Sequence, residues 1–336
     1  MRFRVTGLLF FLTALTFYGC HRKSSGMTDD GNLIHINRFD SALLQWIDSD
    51  DPAVLAQIKS AYPRMTDVLG NALFHGNNPD SAAFFDRLIN YYSEPALHSL
   101  YKDAIEYYSP DSPEMAGITE ELSRGFGQMR KLFPSMQIPA VYLHVSGLQQ
   151  NVIVADSLLS CSIDKYLGAN YPLYEDFFYA WQRKSMIPGR VAKDCLKAWL
   201  KSEYPYRGKD NVLLDRMIYE GKIIYVLTQL GKDFEYRNIM SLTGEEYDWY
   251  LEYEAALWTA IIERKHLYTP EIVTTSKYFQ PSPATFISED APGEPGYFIG
   301  YRIVEKYMKR TKSSCEDLLN NSDAPDLLRQ SGYKPN

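Results

Sequence analysis

The sequence predicts an α+β protein, predominantly helical, with one small β-hairpin or sheet packed among the helices. Apolar residues recur at helical spacing over most of the 336 residues, and two β-branched runs stand together between residues 139 and 159. Hydrophobic residues make up 45% and charged residues 23%, the proportions of a chain that buries an ordinary globular core.

The chain opens with Arg2 and Arg4, an apolar run from Val5 to Tyr18, and Gly19-Cys20. That charged, apolar, small order is the order of a bacterial export signal. The run falls short of the ~20 residues that span hydrocarbon, and polar His21-Arg22-Lys23-Ser24-Ser25 follows at once. Residues 1–19 are therefore read as a signal peptide and Cys20 as the lipidated cysteine. Aromatic Phe17-Tyr18 stands where a Leu-x pair is commoner, so a competing reading has a general signal peptidase release a soluble protein. Removal of residues 1–19, which carry two arginines and no acid, leaves 317 residues with a formal charge of −9. Residues 20–35 are small and polar, as in a flexible tether, and a single globular domain is expected over 36–336.

Within that domain Asp51-Pro52 starts a helix, with Asp as cap and Pro at the first helical position. Helical patterns continue over 80–92, 94–107 and 114–133. Pro139 to Val145 and Val152 to Leu159, separated by a polar stretch with Gly147, read as a strand hairpin. Helices are expected again over 171–185, 190–204, 211–230, 243–266 and 297–309. Segments 231–242 and 269–296 read as loops, the second containing Pro281, Pro283, Pro292 and Pro295. The 243–266 helix is apolar or aromatic on most of its circumference and is expected to be central. Glu254 shares a stripe with Leu251 and Trp258, so its carboxylate must be paired or protonated, as a structural ion pair or a functional group.

Several function classes are excluded. With 42 acidic and 35 basic residues, interleaved, the chain offers no basic stripe for nucleic acid. Cys161, Cys195 and Cys315 form no CxxC pair; at most one bridge is possible, and they read as small buried hydrophobes. The six histidines are all more than five residues apart, so HxH, HExxH and HxxxH are absent. GxSxG and the P-loop are absent too. Gly125 to Arg130 lacks the third Gly of a dinucleotide fingerprint, and helix capping accounts for the acids at 48–51. No metal and no cofactor are expected.

Asn37-Arg38-Phe39-Asp40, Ile163 to Gly168, and Leu214 to Tyr225 together resemble the gliding motility-associated lipoprotein GldB family of the Bacteroidetes. Trp249 to Trp258, Gly296 to Tyr301 and Ser331 to Pro335 fit in the same order, so the resemblance spans nearly the whole mature chain. It implies a periplasm-facing membrane lipoprotein, required for surface motility in gliding members, though many relatives belong to bacteria that do not glide. The family is also similar to predicted zinc peptidases in which an HExxH helix precedes an Ile-x-Glu-Gly helix supplying the third ligand. Ile218-Tyr219-Glu220-Gly221 retains that Glu, whereas the preceding helix reads Lys193-Asp194-Cys195-Leu196-Lys197. An ammonium group cannot ligate zinc without losing its proton. The resemblance thus implies a degenerate zinc-peptidase scaffold with Lys193, Asp194, Lys197, Glu220 and Glu254 as a vestigial site.

Two function classes follow. One is a non-catalytic envelope component, anchored to the membrane by its N-terminal lipid and binding an envelope protein partner through the old cleft or its surface. The alternative is a peptidase-like hydrolase with a divergent site built from Glu220, Glu254 and a distant His. Basic His21, Arg22 and Lys23 after the cysteine point to a periplasmic orientation, since surface-exported lipoproteins of this group tend to carry acids there.

Overall fold

The computed structural model describes residues 33–74, 82–209 and 211–335. Cys20, the 1–19 segment and His75 lie outside them. A short strand β1 (Ile36–Asn37) leads into helices α1 (Phe39–Ser49), α2 (Pro52–Ala61), α3 (Pro63–Phe74), α4 (Ala82–Tyr92), α5 (Pro95–Tyr107) and α6 (Pro113–Leu132). Local chemistry sets several of the starts. Asp51 accepts a hydrogen bond from the Ala53 amide at 2.8 Å, with Pro52 in the first turn. Glu94 and Ser112 cap α5 and α6 in the same way, each followed by Pro.

Three further strands follow: β2 (Ala140–His144), β3 (Val152–Ala155) and β4 (Leu158–Ser162). The sheet order is β1-β2-β4-β3. The hairpin differs from the sequence expectation. Its two arms are β3 and β4, antiparallel across a turn in which Ser157 takes a left-handed conformation, φ 54°. The 139–145 run instead lies parallel to β4, with β1 parallel on its other side. The 152–159 run bends at Asp156-Ser157 because β4 is buried at every position and takes the middle of the sheet.

The second half contains α7 (Pro172–Phe177), α8 (Ala180–Arg183), α9 (Val191–Glu203), α10 (Leu213–Thr228), α11 (Tyr236–Ile239), α12 (Gly244–Glu252), α13 (Glu254–Glu263), α14 (Ile272–Lys277), α15 (Pro295–Thr311), α16 (Cys315–Asn320) and α17 (Ala324–Ser331). The segments read as loops therefore hold short helices, α11 and α14. The central helix is α10, buried on nearly its whole circumference, and not the 243–266 stretch. That stretch breaks at Tyr253 into α12 and α13, and Leu251 and Ile262 are each 45% exposed. Its apolar residues cover a surface, with Tyr250, Leu257 and Ile261 alone reaching the core.

Helices α10 and α15 cross in direct backbone contact. A Cβ on Gly221 would stand 2.3 Å from the Gly300 carbonyl, and one on Gly300 would stand 1.9 Å from the Met217 carbonyl oxygen. Only glycine at both positions lets the helices approach this closely. No helix among the described residues is long and apolar enough to cross a membrane.

Candidate functional site

The residues singled out in the sequence divide among separate sites. Glu220, on α10, is fully buried, and its Oε1 meets Lys201 Nζ of α9 at 2.8 Å and Arg216 of its own helix at 3.2 Å. Burial depresses the Lys201 pKa, and the Glu220 charge works against that shift. Glu220 Oε2 has no hydrogen-bond partner among the described residues. Lys197, one turn before Lys201, stands 4.6 Å from the centre of the Tyr297 ring at the start of α15.

Lys193 turns away to pair with Glu121 of α6 and donates to the Gly189 carbonyl at 2.9 Å. Asp194 accepts from the Tyr166 hydroxyl at 2.9 Å and pairs with Arg190 at 2.5 Å. Glu254 lies elsewhere, at the start of α13. Both its oxygens accept from Arg302 Nε at 3.0 Å, and Oε1 also accepts from the Tyr333 hydroxyl at 2.8 Å. Glu254 is thus paired, as a carboxylate in that stripe requires, and its partners are not those of Glu220.

The donor set around Glu220 does not suit a zinc ion. A zinc site needs three converging protein donors, and here two cations already lie against the one carboxylate. Among the described residues no group of three or more His, Cys, Asp or Glu could hold a metal ion. His144 is fully buried, its Nδ1 2.7 Å from Ser160 Oγ, and burial lowers its pKa to about 3. His266 Nδ1 lies 2.9 Å from the Tyr278 hydroxyl.

Beside Lys197 opens a cleft of about 230 Å³ between α8, the start of α9 and the segment leading to α15. Lys165, Lys184, Arg190 and Lys197 line it with Glu294, and Phe178, Trp181, Met186 and Met240 supply apolar wall. Glu294, just before α15, has φ 67°, left-handed backbone that a residue with a Cβ rarely adopts. Burial raises its carboxyl above the usual range, against the pull of Lys197, Arg190 and Lys184. Sequence reasoning missed Lys201, though it continues the Lys193, Lys197 spacing of four along one helix face. It also missed Glu294, Arg190 and Lys165, which come together only through tertiary packing.

No curated protein and no solved structure matches the chain. The family model described as gliding motility protein GldB matches residues 23–335. That match takes in every described residue from the end of the tether to the Tyr333 that closes on Glu254, so the chain belongs to the gliding motility protein GldB family.

Proposed function

We propose that the protein is a periplasm-facing lipoprotein, held to a membrane by lipid on Cys20, that serves gliding motility or a related envelope process by binding a partner rather than by catalysis. Family membership supports the motility and envelope parts. The Arg2, Arg4, apolar run and Gly19-Cys20 order supports the anchor.

The observation that carries the non-catalytic part is the state of Glu220. It is a buried carboxylate whose Oε1 is held by Lys201 and Arg216, two cations that would repel a metal ion brought against it. The test is elemental analysis of the purified chain, loaded with zinc and then dialysed, together with an assay on a peptide library. Well under one zinc per chain and no cleavage are expected. Stoichiometric zinc, lost in Glu220→Ala along with peptidase activity, would overturn the reading. The anchor is tested separately by labelling cells with a fatty-acid analogue: wild-type protein takes up label and Cys20→Ser does not.

A further inference from the structure

We propose that the cleft beside Lys197 holds a single carboxylate joined to a short apolar group, the chemistry of a polypeptide C-terminus or of a free organic acid. This rests on the binding reading above and names what the cleft recognises.

Charge is the first ground. In a chain of net charge −7, four cations line one cavity. Two are already neutralised, Arg190 by Asp194 at 2.5 Å and Lys184 by Glu246 at 2.7 Å. The other two are not. Lys165 Nζ donates to the Leu148 carbonyl at 3.3 Å and lies 4.2 Å from the Phe178 ring centre. Lys197 makes no ion pair among the described residues and rests against the Tyr297 ring. Asp164, next to Lys165 in sequence, is committed to the Ser146 and Leu148 amides at 3.1 and 2.7 Å and to the Ser162 hydroxyl. Glu294 acts on Lys197 and Asp164 on Lys165, and Glu294 is the acid that lines the cleft with them. Two ammonium groups without an ion pair among the described residues suit a carboxylate, which can accept a charge-assisted hydrogen bond from each.

Shape is the second. The cleft, about 230 Å³, far exceeds the ~10–15 Å³ that one water needs, and its apolar wall of Phe178, Trp181, Met186 and Met240 is of no use to a bare ion. The third is strain. Glu294 is held left-handed at about 1–3 kcal/mol, with its carboxylate facing this cluster and making no hydrogen bond or ion pair among the described residues. Strained residues of this kind gather at ligand clamps.

The test is calorimetric titration of the full-length chain in detergent with N-acetyl-alanyl-leucine, with its C-terminal amide, and with isovalerate. A charge-assisted hydrogen bond should make the acid bind about 10-fold or more tighter than the amide, and Lys197→Gln should remove that preference while Lys197→Arg keeps it. Glu294→Gln removes the competing charge and should tighten binding of the acid, a gain that an unfolded variant cannot give. A peptide acid at least ~10-fold tighter than isovalerate identifies a polypeptide C-terminus, and equal affinities identify a free organic acid. Equal binding of acid and amide, no binding of either, or weaker binding in Glu294→Gln would overturn the proposal. Chromatography of the titrated peptide separates the two ideas: cleavage refutes the non-catalytic reading, and intact, unbound peptide refutes this proposal alone.

Discussion

Replacing Gly300 by Ala tests whether the α10–α15 crossing governs the stability of the fold. The new Cβ would lie 1.9 Å from the Met217 carbonyl oxygen, against 3.4 Å for ordinary contact, a shortfall of about 1.5 Å. The obstacle is helix backbone, so no side chain can rotate away and the two helices must part. A gap of 0.5–1 Å already forfeits about a quarter to a half of the dispersion energy of each contact it opens. Both helices contribute fully buried side chains, among them Ile223, Ile224, Ile299 and Ile303. Overpacking of a core costs about 1–3 kcal/mol, and a backbone obstacle belongs at the upper end. Ala returns about 1 kcal/mol of helix propensity over Gly. A net loss of about 2 kcal/mol is therefore expected, which lowers Tm by about 3 °C at ~2.1 cal/mol/K of unfolding entropy per residue over a fold of this size. The assay is urea and thermal unfolding followed by circular dichroism. Gly117→Ala in α6 is the control: nothing lies within 4 Å of its Cβ, so it should stabilise by about 0.4–1 kcal/mol. Gly221→Ala combined with Gly300→Ala should cost less than the sum, since the first change already separates the helices. If Gly300→Ala matches wild type, or gains stability as Gly117→Ala should, the close-crossing argument is wrong.

Glu220→Ala should destabilise by about 2 kcal/mol in urea titration. The cost stays below that of a fully buried broken pair because Lys201 and Arg216 are 29% and 36% exposed and can turn to water. Loss of cooperative unfolding would show that the pair does more than this. His144 gives a pH signature. Its folded pKa of about 3 lies below the ordinary 6.5, so the unfolded chain takes up the proton first. The stability held above pH 6.5 is therefore lost as pH falls from 6.5 towards 3, by up to about 1.4 kcal/mol per unit. His144→Gln should flatten that slope, and parallel profiles for the two proteins would refute the assignment. Protease added to intact cells should spare the protein if it faces the periplasm, and rapid digestion would place it on the cell surface.

Local chemistry was legible in the sequence and non-local pairing was not. Asp51-Pro52 announced α2 because cap and helix start are neighbours, and the β-branched runs announced strands. Helix α1 went unforeseen because its N-cap, Arg38, makes no side-chain capping bond. The break at Tyr253 carries no Gly or Pro, so a single helix was expected where the structure has two. The parallel pairing of β1, β2 and β4 depends on partners far apart in the chain, about which periodicity is silent. At the site, Glu220 with Arg216 was readable as a pair four residues apart on one helix. The need for a partner at Glu254 was readable too, but Arg302 and Tyr333, 48 and 79 residues away, were not. Glu294 gave no sign at all, since its strain and its lysine neighbours exist only in the folded chain.

The short strand β1 also decides how the fold carries a load. A force entering through Leu33 meets the Ile34 amide bonded to Ser123 Oγ, then the two-residue ladder with β2 and the Asn37 side-chain amide bonded to the Val141 carbonyl. A pull along the strand axis shears these bonds together, so they share the tension. Behind them, the Tyr101 hydroxyl bonded to the Asp40 carbonyl and the buried Arg38–Asp40 ion pair pass what remains into α5 and α1. A pull on the chain ahead of Leu33 would thus load the sheet and the α6 and α5 helices together.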